Sequence, residues 1–80
     1  MYRRPVCLDC NRVYGVEEIG LTVMERVNGK DKTIWDCDRW MCPDCGHEVL
    51  GGFGLAPIAQ SFDTEKFDRN KHLVTRYFDS

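Results

Sequence analysis

Eighty residues, 42% hydrophobic and 30% charged, make one small domain at most, too small for a multi-step enzyme with a deep enclosed cleft. Ordering such a chain costs on the order of 120 kcal/mol at ~1.5 kcal/mol per residue, so a staple is expected: disulfides, a metal or a partner chain. Eleven basic against 13 acidic side chains (net −2) exclude a polycation, and no apolar run exceeds five residues, which predicts no transmembrane helix, no secretory leader and a cytoplasmic location.

The first element is the pair Cys7-Leu8-Asp9-Cys10, repeated in spacing, after 31 intervening residues, by Cys42-Pro43-Asp44-Cys45. Two residues between cysteines let the chain turn so that both sulfurs point at one ion, with backbone N–H groups facing the thiolates. Asn11 and Gly46 follow the pairs, and both residue types tolerate the left-handed conformation such a turn needs. Pro43 fixes φ early in the second turn. An odd total of five cysteines and no leader segment argue against a secreted disulfide framework. Redox dithiols or plain buried cysteines are the competing reading, and two well-formed knuckles in one short chain favour metal. Cys7, Cys10, Cys42 and Cys45 are therefore the candidate ligands of a closed, four-thiolate structural Zn²⁺ site.

Between the knuckles, residues 19–27 and 30–37 are rich in β-branched and aromatic types and flank Asn28-Gly29, the preferred pair of a two-residue hairpin turn. An uninterrupted register faces Arg26 to Asp31, Glu25 to Lys32, Val23 to Ile34 and Thr22 to Trp35. Cys37 stands between Asp36 and Asp38, which disfavour a thiolate, so it reads as a small apolar strand residue rather than a fifth ligand or reactive thiol. Past the second knuckle, residues 48–50 suit a third short strand. His47 reads as a neighbour of the site rather than a ligand.

Knuckle, hairpin, knuckle and strand, with the Cys-Pro-Asp-Cys-Gly run, resemble a zinc ribbon over residues 7 to about 50. The resemblance implies a structural module of the kind used in transcription, replication, translation and adaptor proteins. Trp40-Met41-Cys42-Pro43-Asp44-Cys45-Gly46, with Val6-Cys7-Leu8-Asp9-Cys10 and Tyr14, is similar to the knuckles of rubredoxins, which implies iron in place of zinc and single-electron transfer. Asn11 where rubredoxins carry glycine, and an ordinary hairpin in place of their Asp/Pro/Gly-rich middle, depart from that pattern.

Gly51-Gly52-Phe53-Gly54 lacks the Gly-Lys-Ser/Thr ending of a phosphate loop and reads, with Pro57, as a linker. The division is then a metal module over 1–52 and, over 53–80, a linker and C-terminal amphipathic helix packed on it as one domain. In the tail, Asp63 suits an N-cap, Glu65 the first turn, and Phe62 with Phe67 a hydrophobic staple. A helix over 63–78 aligns Phe67, Val74 and Phe78, joined by Leu73 and Tyr77, though 73–78 also suits a strand. That apolar side enlarges the core or docks on another chain, including a copy of itself. His72 sits in a charged stretch and reads as solvated.

Residues 1–16 carry +2, 17–50 carry −4 and 51–80 balance. The acidic hairpin favours a protein partner. Arg3, Arg4, Arg12 and Arg39 with Tyr2, Tyr14, Trp35 and Trp40 are the candidate surface for nucleic acid, unless these aromatics instead cover the metal site. No Ser/His/acid set is present, and four protein thiolates leave no position for an activated water. The expectation is a small, mainly-β, metal-stapled domain: a hairpin and third strand with a C-terminal helix, non-catalytic, acting as a protein-interaction adaptor or regulatory accessory, with a nucleic-acid-binding ribbon and an iron electron carrier as alternatives.

Overall fold

Asn28 and Gly29 turn the chain with φ of 54° and 76°, as a type I′ hairpin requires, and everything else hangs on the two strands they join. The computed structural model describes residues 4–80. In chain order it contains β1 (Val6–Cys7), β2 (Arg12–Val13), β3 (Gly15–Val27), β4 (Lys30–Met41), β5 (Glu48–Gly51), β6 (Ala59–Gln60), α1 (Thr64–Lys71) and β7 (Arg76–Asp79). β1 and β2 form a ladder of their own, and β5-β4-β3-β7 a second sheet in which β6 also pairs β4. The molecule extends 43 Å along its longest axis. Both cysteine pairs sit at the open end of the hairpin, because the first leads into β3 and the second follows β4. Among the described residues, no helix is long and apolar enough to cross a membrane.

The expected strands and their turn are present, but each runs longer, and the register differs. Next to the turn, only Val27↔Lys30 and Arg26↔Asp31 follow the uninterrupted pairing. An irregularity between Glu25 and Arg26 then inserts Lys32, so Glu25 pairs Thr33, Met24 pairs Ile34, Val23 pairs Trp35 and Thr22 pairs Asp36. The expected Glu25–Lys32, Val23–Ile34 and Thr22–Trp35 pairs are therefore replaced. Burial explains the slip. The uninterrupted register would place Lys32 and Asp36 on the face of Leu21 and Val23; the bulge puts Trp35 and Cys37 there and leaves both charges exposed.

Both faces of the sheet are apolar. Met24 and Ile34, fully buried, pack against Ala59, Phe67, Ile58 and Val74 under α1. On the other face Leu21, Val23 and Cys37 pack with Trp35, Leu50 and Phe78. Each fully buried large side chain contributes about 1.5–3 kcal/mol of transfer free energy.

The tail is part helix and part strand rather than one helix over 63–78. Asp63 caps α1, its carboxylate accepting from Lys66 N–H at 3.4 Å. The helix stops at Lys71. Leu73 N–H and Val74 N–H donate back to Asn70 and Lys71, and Thr75 N–H donates to Thr22 C=O at 2.8 Å, handing the chain to the sheet. β7 then pairs in parallel with β3 over Val23–Arg26. The β-branched and aromatic stretch 73–78 gains more by covering the open edge of β3 than by extending a short helix. The staple does not form: Phe67 is buried against the sheet, whereas Phe62 is 81% exposed. The expected three-stranded sheet is thus a five-stranded one, with β6 and β7 supplied by the tail.

Candidate metal centre

The two cysteine turns are built alike. Asn11 N–H donates to Cys7 C=O at 2.8 Å, and Gly46 N–H to Cys42 C=O at 3.0 Å. One residue further on, Arg12 pairs Cys7 in the β1–β2 ladder, and Cys42 N–H donates to His47 C=O at 2.8 Å. Each pair is thereby closed by backbone bonds at matching positions, and Asn11 and Gly46 take the left-handed conformation their residue types allow.

These turns bring all four expected ligands together. The sulfurs of Cys7, Cys10, Cys42 and Cys45 lie within 4.8 Å of one another. All are free thiols, and the Cys7 and Cys45 Sγ atoms stand 3.8 Å apart, far beyond the ~2.05 Å of a disulfide. A tetrahedron of sulfurs about 2.3 Å from a central ion has edges of about 3.8 Å, so the donor set fits a single four-coordinate ion. Cys7 and Cys42 are buried, Cys10 is half-buried and Cys45 exposed, placing the cluster at the surface with an inner wall of protein.

Electrostatics divide the sulfurs. Backbone N–H groups of Cys45 and then Asp44 hold Cys42 down to about 7 against its burial. Cys10 is pushed up to about 12, first through its hydrogen bonds to Cys45 and Cys42. Four packed sulfurs cannot all ionise without a cation among them, and an ion removes that conflict by taking all four as thiolates.

Tyr14 and Trp40 pack on Cys7 and Cys42, with Val49 and Cys10 at the margin. Both rings are almost fully buried, so they wall the site and are not available to stack on bases. Burial and then its hydrogen bond to Cys7 push the Tyr14 hydroxyl up to about 12. His47 is exposed, contributes backbone to the turn and meets Tyr14 edge-on at 6.2 Å, outside the sulfur cluster. His72 is the exposed C-cap of α1. Cys37 lies on a sheet face apart from the cluster.

Three ion pairs around the centre, made by two arginines, had no local signal in the sequence. Arg12 reaches Asp44 at 3.9 Å, linking one cysteine turn to the other. Arg39 donates from Nε to Glu18 at 2.8 Å and from Nη1 to Glu48 at 2.6 Å, clamping β3, β4 and β5 just before the second turn. Arg39 is therefore neutralised and not part of an open basic surface. Arg4 is exposed, and Tyr2 and Arg3 lie outside the described residues.

Comparison of the chain with protein-family models, with curated proteins and with solved structures finds no match. The four-cysteine cluster, consistent with a zinc-ribbon-like pair of knuckles, is what defines this protein chemically.

Proposed function

We propose that this chain is a non-catalytic zinc-binding module that acts through protein–protein contact, as an adaptor or regulatory accessory. The observation that carries the metal half is the convergence of four free cysteine sulfurs within 4.8 Å. Zinc bound there supplies folding energy and, with four protein thiolates, keeps no open position for substrate. The chain's own part is to hold the turns, by the Asn11 and Gly46 backbone bonds, and to shield the inner sulfurs with Tyr14 and Trp40.

A protein partner is supported by what surrounds the first turn. Val6 and Val13, 53% and 50% exposed, pair in the β1–β2 ladder, and Leu8, 90% exposed, lies in the turn that joins its strands. The nucleic-acid alternative draws less support, since Arg39 is paired with two carboxylates, Arg12 lies against Asp44, and Tyr14 and Trp40 are buried. Affinity capture with metal-loaded protein, run in parallel with Leu8→Asp, tests the reading. Partners resistant to nuclease and lost with Leu8→Asp are expected. Capture that needs nucleic acid and falls steeply with salt would move the assignment to a nucleic-acid-binding ribbon. A red, iron-loaded chain would move it to electron transfer.

A further inference from the structure

Away from the metal centre, the bulge at Lys32 has a chemical consequence. Without Lys32 opposite it, Glu25 has no cationic partner among the described residues within ion-pair distance. It turns instead to Trp35, whose Nε1–H donates to Glu25 Oε1 at 2.9 Å. Glu25 and Trp35 line an open cleft of about 350 Å³ with Phe53, Phe78, Gly54 and Leu55. That volume falls within the ~300–1,000 Å³ of small-ligand sites. Trp35 and Phe53 meet at 6.1 Å and 84°, and Phe53 and Phe78 at 5.8 Å and 70°. Three steeply inclined rings and one carboxylate thus share one shallow, open cleft, and none of the four clustered cysteines takes part in it.

The carboxylate stays ionised. The Trp35 bond, and after it the Ser80 side chain, hold its pKa down against partial burial. A negative charge on an aromatic wall calls for a counter-ion. Metal cations such as Ca²⁺ or Mg²⁺ need several oxygen ligands, and the cleft lining offers one carboxylate. A primary ammonium has three N–H donors, and the single carboxylate, already accepting from Trp35, replaces only part of the hydrogen bonds to water it would give up. An alkylated ammonium carries its charge inside a shell of methyl groups, loses little on leaving water, and is attracted by ring faces within about 6 Å as well as by the carboxylate.

We infer that the Glu25–Trp35–Phe53–Phe78 cleft binds a quaternary ammonium head group of a small molecule. Trp35 is its reporter, since the other tryptophan, Trp40, is walled into the metal centre.

The test is a titration of the metal-loaded protein with choline, followed by tryptophan emission, beside the same titration with 3,3-dimethylbutan-1-ol, a neutral isostere. Saturable binding of choline is expected, with the isostere roughly tenfold weaker. Glu25→Gln keeps an acceptor for Trp35 and removes the charge. It should weaken choline roughly tenfold and leave the isostere unchanged. Equal binding of choline and its isostere, or no saturable response to choline, would overturn the inference. Both of those readings use the unaltered protein, so they stand even if the variant folds poorly.

Discussion

Asn11 and Gly46 are the same residue of two copies of one turn: each stands one place after a closing cysteine, at φ of 54° and 77°. Each returns its N–H to the leading cysteine of its pair. A Cβ added at Gly46 meets nothing within 4 Å, so any cost of adding one is the left-handed backbone itself. Gly46→Ala is expected to destabilise the metal-loaded protein by about 1–2 kcal/mol. Asn11→Gly should change stability by less than about 0.5 kcal/mol. Denaturant unfolding of the two variants side by side checks the pair; equal costs would contradict the equivalence of the turns.

Phe62 and Phe67 separate a surface aromatic from a core one. Phe67 joins Met24, Ile34 and Ala59 beneath α1. Phe67→Ala should cost about 3–5 kcal/mol, and Phe62→Ala about 0.5 kcal/mol or less. A large loss from Phe62→Ala would restore the hydrophobic staple that the structure lacks.

Cys37 gives the protein an alkaline limit. Burial first, then Asp38 and Asp36, raise its thiol from 9.0 to about 11. The folded state favours the neutral thiol, so this contribution is present in full below pH 9 and is lost as pH rises through about 11. Metal-loaded protein should lose stability across that window, and Cys37→Val should abolish that part of the slope. Thermal midpoints read from pH 8 to 11 decide it, and an unchanged slope in the variant would assign the loss to another group.

Chelation under reducing conditions should remove the β-sheet circular dichroism. Apparent zinc contributions of ~10–16 kcal/mol equal or exceed the total stability of a typical domain, ~5–15 kcal/mol. The sheet spectrum surviving in metal-free, reduced protein would make the ion dispensable for the fold.

The parts of this fold legible in the sequence are those set by neighbours in the chain. Cysteines separated by two intervening residues, a tolerant residue after each pair, and Asn28-Gly29 between β-rich stretches all act locally, and the turns and hairpin followed. The parts that were not legible depend on distant surfaces. The bulge at Lys32 exists because Asp36 must be kept off the face of Leu21 and Val23, a constraint felt only once both strands are in place. β7 was legible in part: residues 73–78 suited a strand as well as a helix, and the open edge of β3 decides for the strand and ends α1 at Lys71. β1, β2 and β6 span two residues each and are too short to carry any periodicity. Of the site, the four clustered cysteines were readable; the Arg12–Asp44 and Arg39 ion pairs were not, since each joins residues brought together by the fold.

X-ray absorption at the metal edge of the purified, reduced protein addresses the coordination directly. A zinc edge with four sulfur scatterers at about 2.3 Å is predicted. Nitrogen or oxygen in the shell, fewer than four sulfurs, or a protein that holds no metal at all would contradict a closed site formed by Cys7, Cys10, Cys42 and Cys45.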